Sequence, residues 1–165
     1  MRGTVRPMRK RWTVGVISDT HGLVRPEALA ALAGADHIVH AGDVGAPDVL
    51  TALAAIAPVT AVRGNNDHGP WAQRLPEATT VRVGDVRLHV LHDVKELALD
   101  PHTIDVVIAG HSHRPMNERR DGVLYFNPGS AGPRRFTLPI AVGLLRIEDT
   151  TVSAEVCRLD PASAR

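Results

Sequence analysis

Asp19 and His21 stand two residues apart at the end of VGVISDTH, and His111 and His113 repeat that spacing at the end of VVIAGHSH. A carboxylate beside an imidazole, or two imidazoles together, suits a divalent first-row metal held without thiolate. In extended backbone, residues i and i+2 point to the same side, so each pair is expected to grip one ion. Three more donors follow other apolar runs: Asp43 after HIVHAG, Asn65 after TAVRG and His92 after LHVL. Asp43 has two carboxylate oxygens and can bridge two ions, while Asn65 offers a neutral carbonyl oxygen. These seven donors exceed one ordinary transition-metal shell, which predicts a centre of more than one ion.

Each piece alone is commonplace. An isolated D-x-H or H-x-H is more often an ordinary loop, a single His after a strand is usually just hydrogen-bonded, and Asn65-Asn66-Asp67 reads equally as a turn. Their shared position decides between the readings. In an α/β sheet, the loops at the carboxyl ends of parallel strands gather on one edge, where ligands bind. Donors scattered from residue 19 to residue 113 are therefore expected to converge.

The elements that must position them are legible. Strands are predicted near 13–18, 37–41 and 59–63. Between them lie helices opened by Pro26 and Pro47, with Gly34 and Pro58 closing them. That strand–helix alternation predicts a parallel sheet with crossover helices. The pattern then changes. Alternating runs at 79–83 and 86–91 flank Gly84-Asp85, and runs at 117–119 and 123–126 flank Asp121-Gly122. A third pair, 140–147 and 152–159, flanks Asp149-Thr150. These predict β-hairpins. A buried strand is expected at 105–109 and a short helix at 94–99. The mixture indicates an α/β fold of two sheets packed face to face with helices outside.

At 165 residues the chain is expected to form one domain, spanning 12–160, between a flexible basic leader (1–11) and a loose tail (161–165). A net charge of +1 gives no electrostatic argument for nucleic acid or an anionic membrane, and aromatics at 3% leave no stripe for stacking bases. No run is long enough to span a membrane. The single cysteine, Cys157, excludes an internal disulfide and fits a cytoplasmic location.

The series D-T-H at 19–21, G-D at 42–43, G-N-N-D at 64–67, His92, G-H-S-H at 110–113 and N-P-G-S at 127–130 resembles the calcineurin-like metallophosphoesterases. Within them it is most similar to the small YfcE-type phosphodiesterases, over nearly the whole chain. The resemblance implies a four-layer α/β/β/α sandwich of two mixed sheets flanked by helices. It implies that Asp19, His21, Asp43 and His113 hold one ion, and that Asp43, Asn65, His92 and His111 hold the other, with Asp43 bridging. Asp43, Asn65 and His111 are assigned the catalytic roles within this set. Two departures stand out. Asn66 occupies a position where many relatives carry a histidine that aids leaving-group departure. Asp93-Val94 follows His92 where relatives have Gly-His; Asp93 is read as a helix cap in preference to a partner that orients a ligand imidazole.

The expected function is therefore a binuclear metal-dependent phosphodiesterase. Two divalent ions, Mn²⁺ first, with Fe²⁺, Zn²⁺ or Ni²⁺ also compatible, would hold a bridging hydroxide that attacks phosphorus in line. The substrate would be a small phosphodiester, a nucleotide or cyclic nucleotide among the options, and a homo-oligomer is compatible. The rival is a non-catalytic interaction scaffold of the same fold, as in the retromer protein Vps29. His37, His40, His89 and His102 match no ligand position. His68 is read as a solvated loop residue before a substitute proton donor. Arg134 and Arg135 are read equally as anion contacts or as a solvated loop.

Overall fold

The computed structural model describes residues 10–159. Most of the expected leader and all of the expected tail lie outside them. Arg11, assigned to the leader from sequence, is instead the first residue of β1 (Arg11–Ile17). Its partner in the neighbouring antiparallel strand is Glu148.

The first half of the chain alternates as expected: β1, α1 (Pro26–Leu32), β2 (His37–His40), α2 (Pro47–Ala54) and β3 (Val59–Ala61). Both helices carry proline in the first turn, where its missing N–H has no intrahelical acceptor to lose. A one-turn helix, α3 (Pro70–Gln73), follows. It was not anticipated, because four residues give no periodicity to detect.

The second half builds β4 (Ala78–Val83), β5 (Val86–Leu91), β6 (Val106–Ile108), β7 (Met116–Arg120), β8 (Val123–Asn127), β9 (Ala141–Glu148) and β10 (Thr151–Arg158). The hairpin between β7 and β8 turns on Asp121 (φ 50°) and Gly122 (φ 82°), two positive φ angles that match the right-handed twist of the strands.

The strands form two sheets of five, ordered β10-β9-β1-β2-β3 and β4-β5-β6-β8-β7. Both are mixed. β1, β2 and β3 run parallel in the first, with β9 antiparallel to β1 and β10 antiparallel to β9. β5, β6 and β8 run parallel in the second, with antiparallel β4 and β7 at its edges. Facing residues of both sheets, among them Val14, Val39, Leu88, Ile108, Leu124, Phe126 and Leu145, make one buried cluster between them. A second cluster packs α1 and α2 on the outer face of the first sheet through Ala28, Leu32, Val49 and Leu53.

The outer face of the second sheet is covered differently. The helix expected at 94–99 is two 3₁₀ turns, 94–96 and 101–103. Asp93 caps the first by accepting from Lys95 N–H, and Asp100 caps the second by accepting from His102 N–H. Each cap opens its turn; the first stops at Leu97, where ψ of 116° leaves helical geometry, and Pro101 is the first residue of the second. The sandwich therefore has its fourth layer, but a thin one. No helix among the described residues is long and apolar enough to cross a membrane.

The core is largely aliphatic, so its largest fully buried side chain carries disproportionate weight. Phe126 is fully buried between the sheets. Phe126→Ala is expected to cost about 3–5 kcal/mol of unfolding free energy, measured by denaturant titration of the metal-free protein.

Candidate metal centre

The carboxyl ends of β1, β2, β3, β5 and β6 reach one edge of the sandwich. Asp19 follows β1 by two residues, Asp43 follows β2 by three and Asn65 follows β3 by four; His92 adjoins β5, and His111 follows β6 by three. Asp19, His21 and His113 form one group of donor atoms, and Asp19, Asp43 and His92 form another, each within 4.8 Å. His113 Nε2 is 3.3 Å from Asp19 Oδ1, and His92 Nε2 is 3.3 Å from Asp43 Oδ2 and 3.8 Å from Asp19 Oδ1. Asp43 Oδ2 also lies 3.8 Å from His21 Nε2, so this carboxylate reaches both sides of the cluster. His111 Nδ1 is 3.2 Å from Asn65 Oδ1 and 3.3 Å from His92 Nε2. All seven expected donors are thus neighbours.

The local geometry differs from the expected extended i, i+2 arrangement. Asp19, His21, His111 and His113 all have positive φ, between 47° and 70°, as does Asp43 at 54°. Each donor pair sits on a left-handed turn beyond its strand. Aspartate and histidine, with asparagine, are among the non-glycine residues most often found there.

Close backbone approach completes the site. Gly42 has φ 101°, and a Cβ there would come within 2.6 Å of His92 Nδ1; at Gly64 it would come within 2.1 Å of Asp43 Oδ1. Any side chain at either position would displace a candidate ligand.

The residues fit a cation on three observations. Asp19 Oδ1, His21 Nε2 and His113 Nδ1 are buried with no hydrogen-bond partner among the described residues. His92 Nδ1–H donates to the Ala41 carbonyl at 2.8 Å, which turns the Nε2 lone pair toward the Asp43 and Asp19 oxygens. A lone pair facing carboxylate oxygens needs a proton or a metal between them. The pKa pattern agrees. Burial opposes the charge on Asp43 and Asp19. Contacts with His92 and Asn66 nevertheless hold Asp43 well below the usual carboxylate range, and contacts with His113, Ser18 and His92 lower Asp19. Burial opposes charge on His92 as well, yet its contacts with Asp43, Ala41 and Asp19 raise its pKa.

Asp93 takes the capping role expected of it, and no hydrogen bond among the described residues has it orient a ligand imidazole. It caps the 3₁₀ turn, and its Oδ2 lies 3.9 Å from His111 Nε2. His68, Arg134 and Arg135 are exposed. His37 and His89 are held by Thr60 and Thr80 hydroxyls at 2.8 Å each, an ordinary structural role.

Two residues read from sequence only as part of a turn and as matching no ligand position, Asp67 and His40, are central to the architecture. Asp67 is buried, and its carboxylate accepts from Val44, Gly45 and Gly64 N–H groups at 2.9–3.1 Å. It clamps the loop of Asp43 to the loop of Asn65. Its place at the end of G-N-N-D was the available signal, since short acidic side chains bond nearby backbone. His40 is fully buried; its Nδ1 accepts from Gly42 N–H at 3.1 Å, so Nε2–H donates to Thr20 Oγ1 at 2.9 Å. Thr20 in turn donates to the Val44 carbonyl at 2.8 Å. His40 therefore ties the Asp19 turn to the Asp43 turn.

The calcineurin-like phosphoesterase superfamily domain matches residues 13–150, and the chain belongs to that family. A protein of Methanothermobacter thermautotrophicus named Probable metallophosphoesterase is 37% identical, covering 88% of this chain and 91% of that one. A solved structure described as a novel archaeal phosphodiesterase is 26% identical with TM-score 0.72, covering 87% and 99%. Vacuolar Protein Sorting 29 from Cryptosporidium parvum shares the fold at TM-score 0.76 and 21% identity, covering 91% and 92%. The family is one of divalent-metal phosphoesterases, which agrees with the donor set assembled here.

Burial pushes the His40 imidazole down to about 4. The unfolded chain takes up that proton near pH 6.5, whereas the folded chain takes it up only near 4. Stability should therefore fall as pH drops from about 6.5 to about 4, by up to about 3 kcal/mol at roughly 1.4 kcal/mol per unit. His40→Gln should flatten that slope, read from denaturant melts of metal-free protein across this range. An unchanged slope would remove His40 as its source.

Proposed function

We propose that the chain is a binuclear metal-dependent phosphodiesterase acting on a small phosphodiester. The observation that carries this reading is the convergence of seven O and N donors with partnerless buried atoms among them. Asp19, His21, Asp43 and His113 would hold one ion, and Asp43, Asn65, His92 and His111 the other, with Asp43 shared. The mixed O and N donor set favours Mn²⁺, and Fe²⁺, Zn²⁺ and Ni²⁺ fit the same donors. Bound ions supply Lewis acidity at the phosphoryl group and activate the attacking water.

The chain's own residues orient the rest. Asn65 and His111 are the exposed members of the set, facing a cleft of about 400 Å³, and so meet substrate. Asn66 N–H and Nδ2–H donate to the two Asp43 oxygens at 2.9 and 3.1 Å. Asn66 thus aims the shared carboxylate and holds no titratable proton for a leaving group. Diesters with good leaving groups need no such proton, and the archaeal neighbour described as a phosphodiesterase supports the same choice. Against a scaffold of the Vps29 kind stands the complete donor set. Turnover of a nitrophenyl diester with added Mn²⁺ separates the two readings.

Asp43→Asn removes the charge proposed to serve both ions, and Asp19→Asn removes one anchored mainly beside His113. Asp43→Asn is expected to lower diesterase rate by about two orders of magnitude or more and to lose both metals. Asp19→Asn should weaken mainly one. Metal analysis and rates on the purified variants check this, and near-normal activity in Asp43→Asn removes the sharing role.

Protons compete with metal at His92, whose pKa is raised. Metal content and activity should decline together as pH falls through the ordinary histidine range near 6.5. Two ions retained at pH 4 would sink the histidine assignments.

Asn66→His would place a titratable imidazole by the cleft while its ring N–H can still donate to Asp43. It should raise rates on alkyl-leaving-group diesters at least tenfold, within the roughly 10²–10⁴-fold worth of general acid catalysis, and leave nitrophenyl diesters nearly unchanged. His68→Ala is the control. If His68→Ala alone abolishes turnover of poor leaving groups and Asn66→His changes nothing, the missing-acid account is wrong.

A further inference from the structure

A phosphodiester has two organic arms, and two recesses meet at His111 and Asp93. The first is the cleft of Asn65 and His92, which also carries Arg63, Glu77 and Glu96. Its Arg63 is already paired with Glu77 at 3.0 Å, so this side offers carboxylates more than free cations. The second recess, about 360 Å³, runs under the other side of His111. That volume falls in the range of small-molecule sites, roughly 300–1,000 Å³.

The chemistry of the second recess is different. Val94, Ala109, Pro115 and Met116 form its apolar wall, and Lys95 and Arg114 stand at it. Both cations are exposed and neither side chain has an ion-pair partner among the described residues. Ser112 Oγ accepts from Arg114 N–H and Asn127 Nδ2–H, each at 3.2 Å, which leaves its own proton free to donate. Asn127 is committed elsewhere, donating to the Gly110 carbonyl at 3.0 Å and accepting from Gly129 N–H at 2.9 Å. It is a strut, not a reader of ligand. Asp93, the shared wall, is fixed by Lys95 N–H.

We propose that this second recess binds one ester arm of the substrate, an aromatic ring bearing an acceptor or anionic group at its outer end. The inference rests on the phosphodiesterase reading, since phosphorus must sit at Asn65, His92 and His111 for an arm to reach the recess. The apolar wall takes the ring, with Met116 suited to an aromatic edge. Ser112 O–H, Lys95 and Arg114 meet its polar end. The preferred substrates are thus diesters with an aryl- or nucleobase-sized arm, and simple dialkyl diesters are poor ones.

The test uses three phosphonates on the Mn²⁺-loaded full chain, with binding measured by calorimetry: methylphosphonate, phenylphosphonate and 4-carboxyphenylphosphonate. Phenylphosphonate should bind tighter than methylphosphonate by on the order of tenfold, the worth of burying a ring's carbons. The carboxylate should add a further several-fold. Val94→Asp should erase the phenyl advantage while methylphosphonate binds as before. A Lys95→Glu/Arg114→Glu pair, both positions exposed, should erase only the carboxylate's gain. Equal binding of methyl- and phenylphosphonate in the wild type overturns the recess and leaves the phosphodiesterase reading intact. A phenyl advantage unmoved by Val94→Asp overturns it too, because the arm then lies in the other recess. Failure of all three phosphonates to bind, together with no turnover of a nitrophenyl diester, overturns the underlying reading itself.

Discussion

Two buried carboxylates, Asp19 and Asp43, are the constraint on which the rest of this molecule turns. Burying an ionised carboxylate is costly unless hydrogen bonds and opposite charge surround it. Asp19 Oδ2 takes the Ser18 hydroxyl and His111 N–H, and Asp43 takes both donors of Asn66. These donors come from the ends of different strands in both sheets. The charges are tolerated only when β1, β2, β3 and β6 end at the same edge, so the fold and the site are one condition. The raised His92 pKa shows the other side of that balance. The Asp43 and Asp19 carboxylates favour positive charge at this imidazole, and a divalent ion bound there would compete with a proton for the same lone pair.

The strained backbone has the same origin. Among the described residues, eight non-glycine positions have positive φ, and five of them are candidate ligands. Each such position costs energy that the surroundings must hold in place. Here the holders are visible: the Asp67 carboxylate on three backbone N–H groups, and His40 between Thr20 and Gly42. Neither faces substrate. Both keep turns in a conformation that extended strand ends would not adopt.

This division explains what the sequence disclosed. Strand positions, both proline-opened helices and the hairpins at Asp121-Gly122 and Gly84-Asp85 follow local rules of periodicity and turn chemistry, so they can be read from one chain; the order in which the strands pair in each sheet is set by distant contacts and cannot. The seven candidate donors can be picked out the same way, because each follows an apolar run or stands two residues beyond one that does. The reason given for their shared aim was wrong in detail: left-handed turns orient Asp19 and His21, not pleated backbone. His40 was hidden because its importance lies in two hydrogen bonds formed only when the β1 and β2 loops meet. A histidine inside HIVHAG looks like a strand residue until Thr20 is placed beside it. The α3 turn and the 3₁₀ turns were illegible for a simpler reason, since segments of three or four residues carry no period.

Asp93 shows how closely the outer layer and the site are joined. By accepting from Lys95 N–H it caps the start of a 3₁₀ turn that stops at Leu97, whose ψ of 116° leaves helical geometry, so the second sheet stays thinly covered. Beside that short turn a space lies open at His111, with Val94, Ala109, Pro115 and Met116 as its apolar wall and Lys95 and Arg114 at it. The same carboxylate faces His111 Nε2 at 3.9 Å. One residue therefore starts the turn over the second sheet and stands beside a candidate ligand, which joins the thin fourth layer to the edge where the strand ends meet.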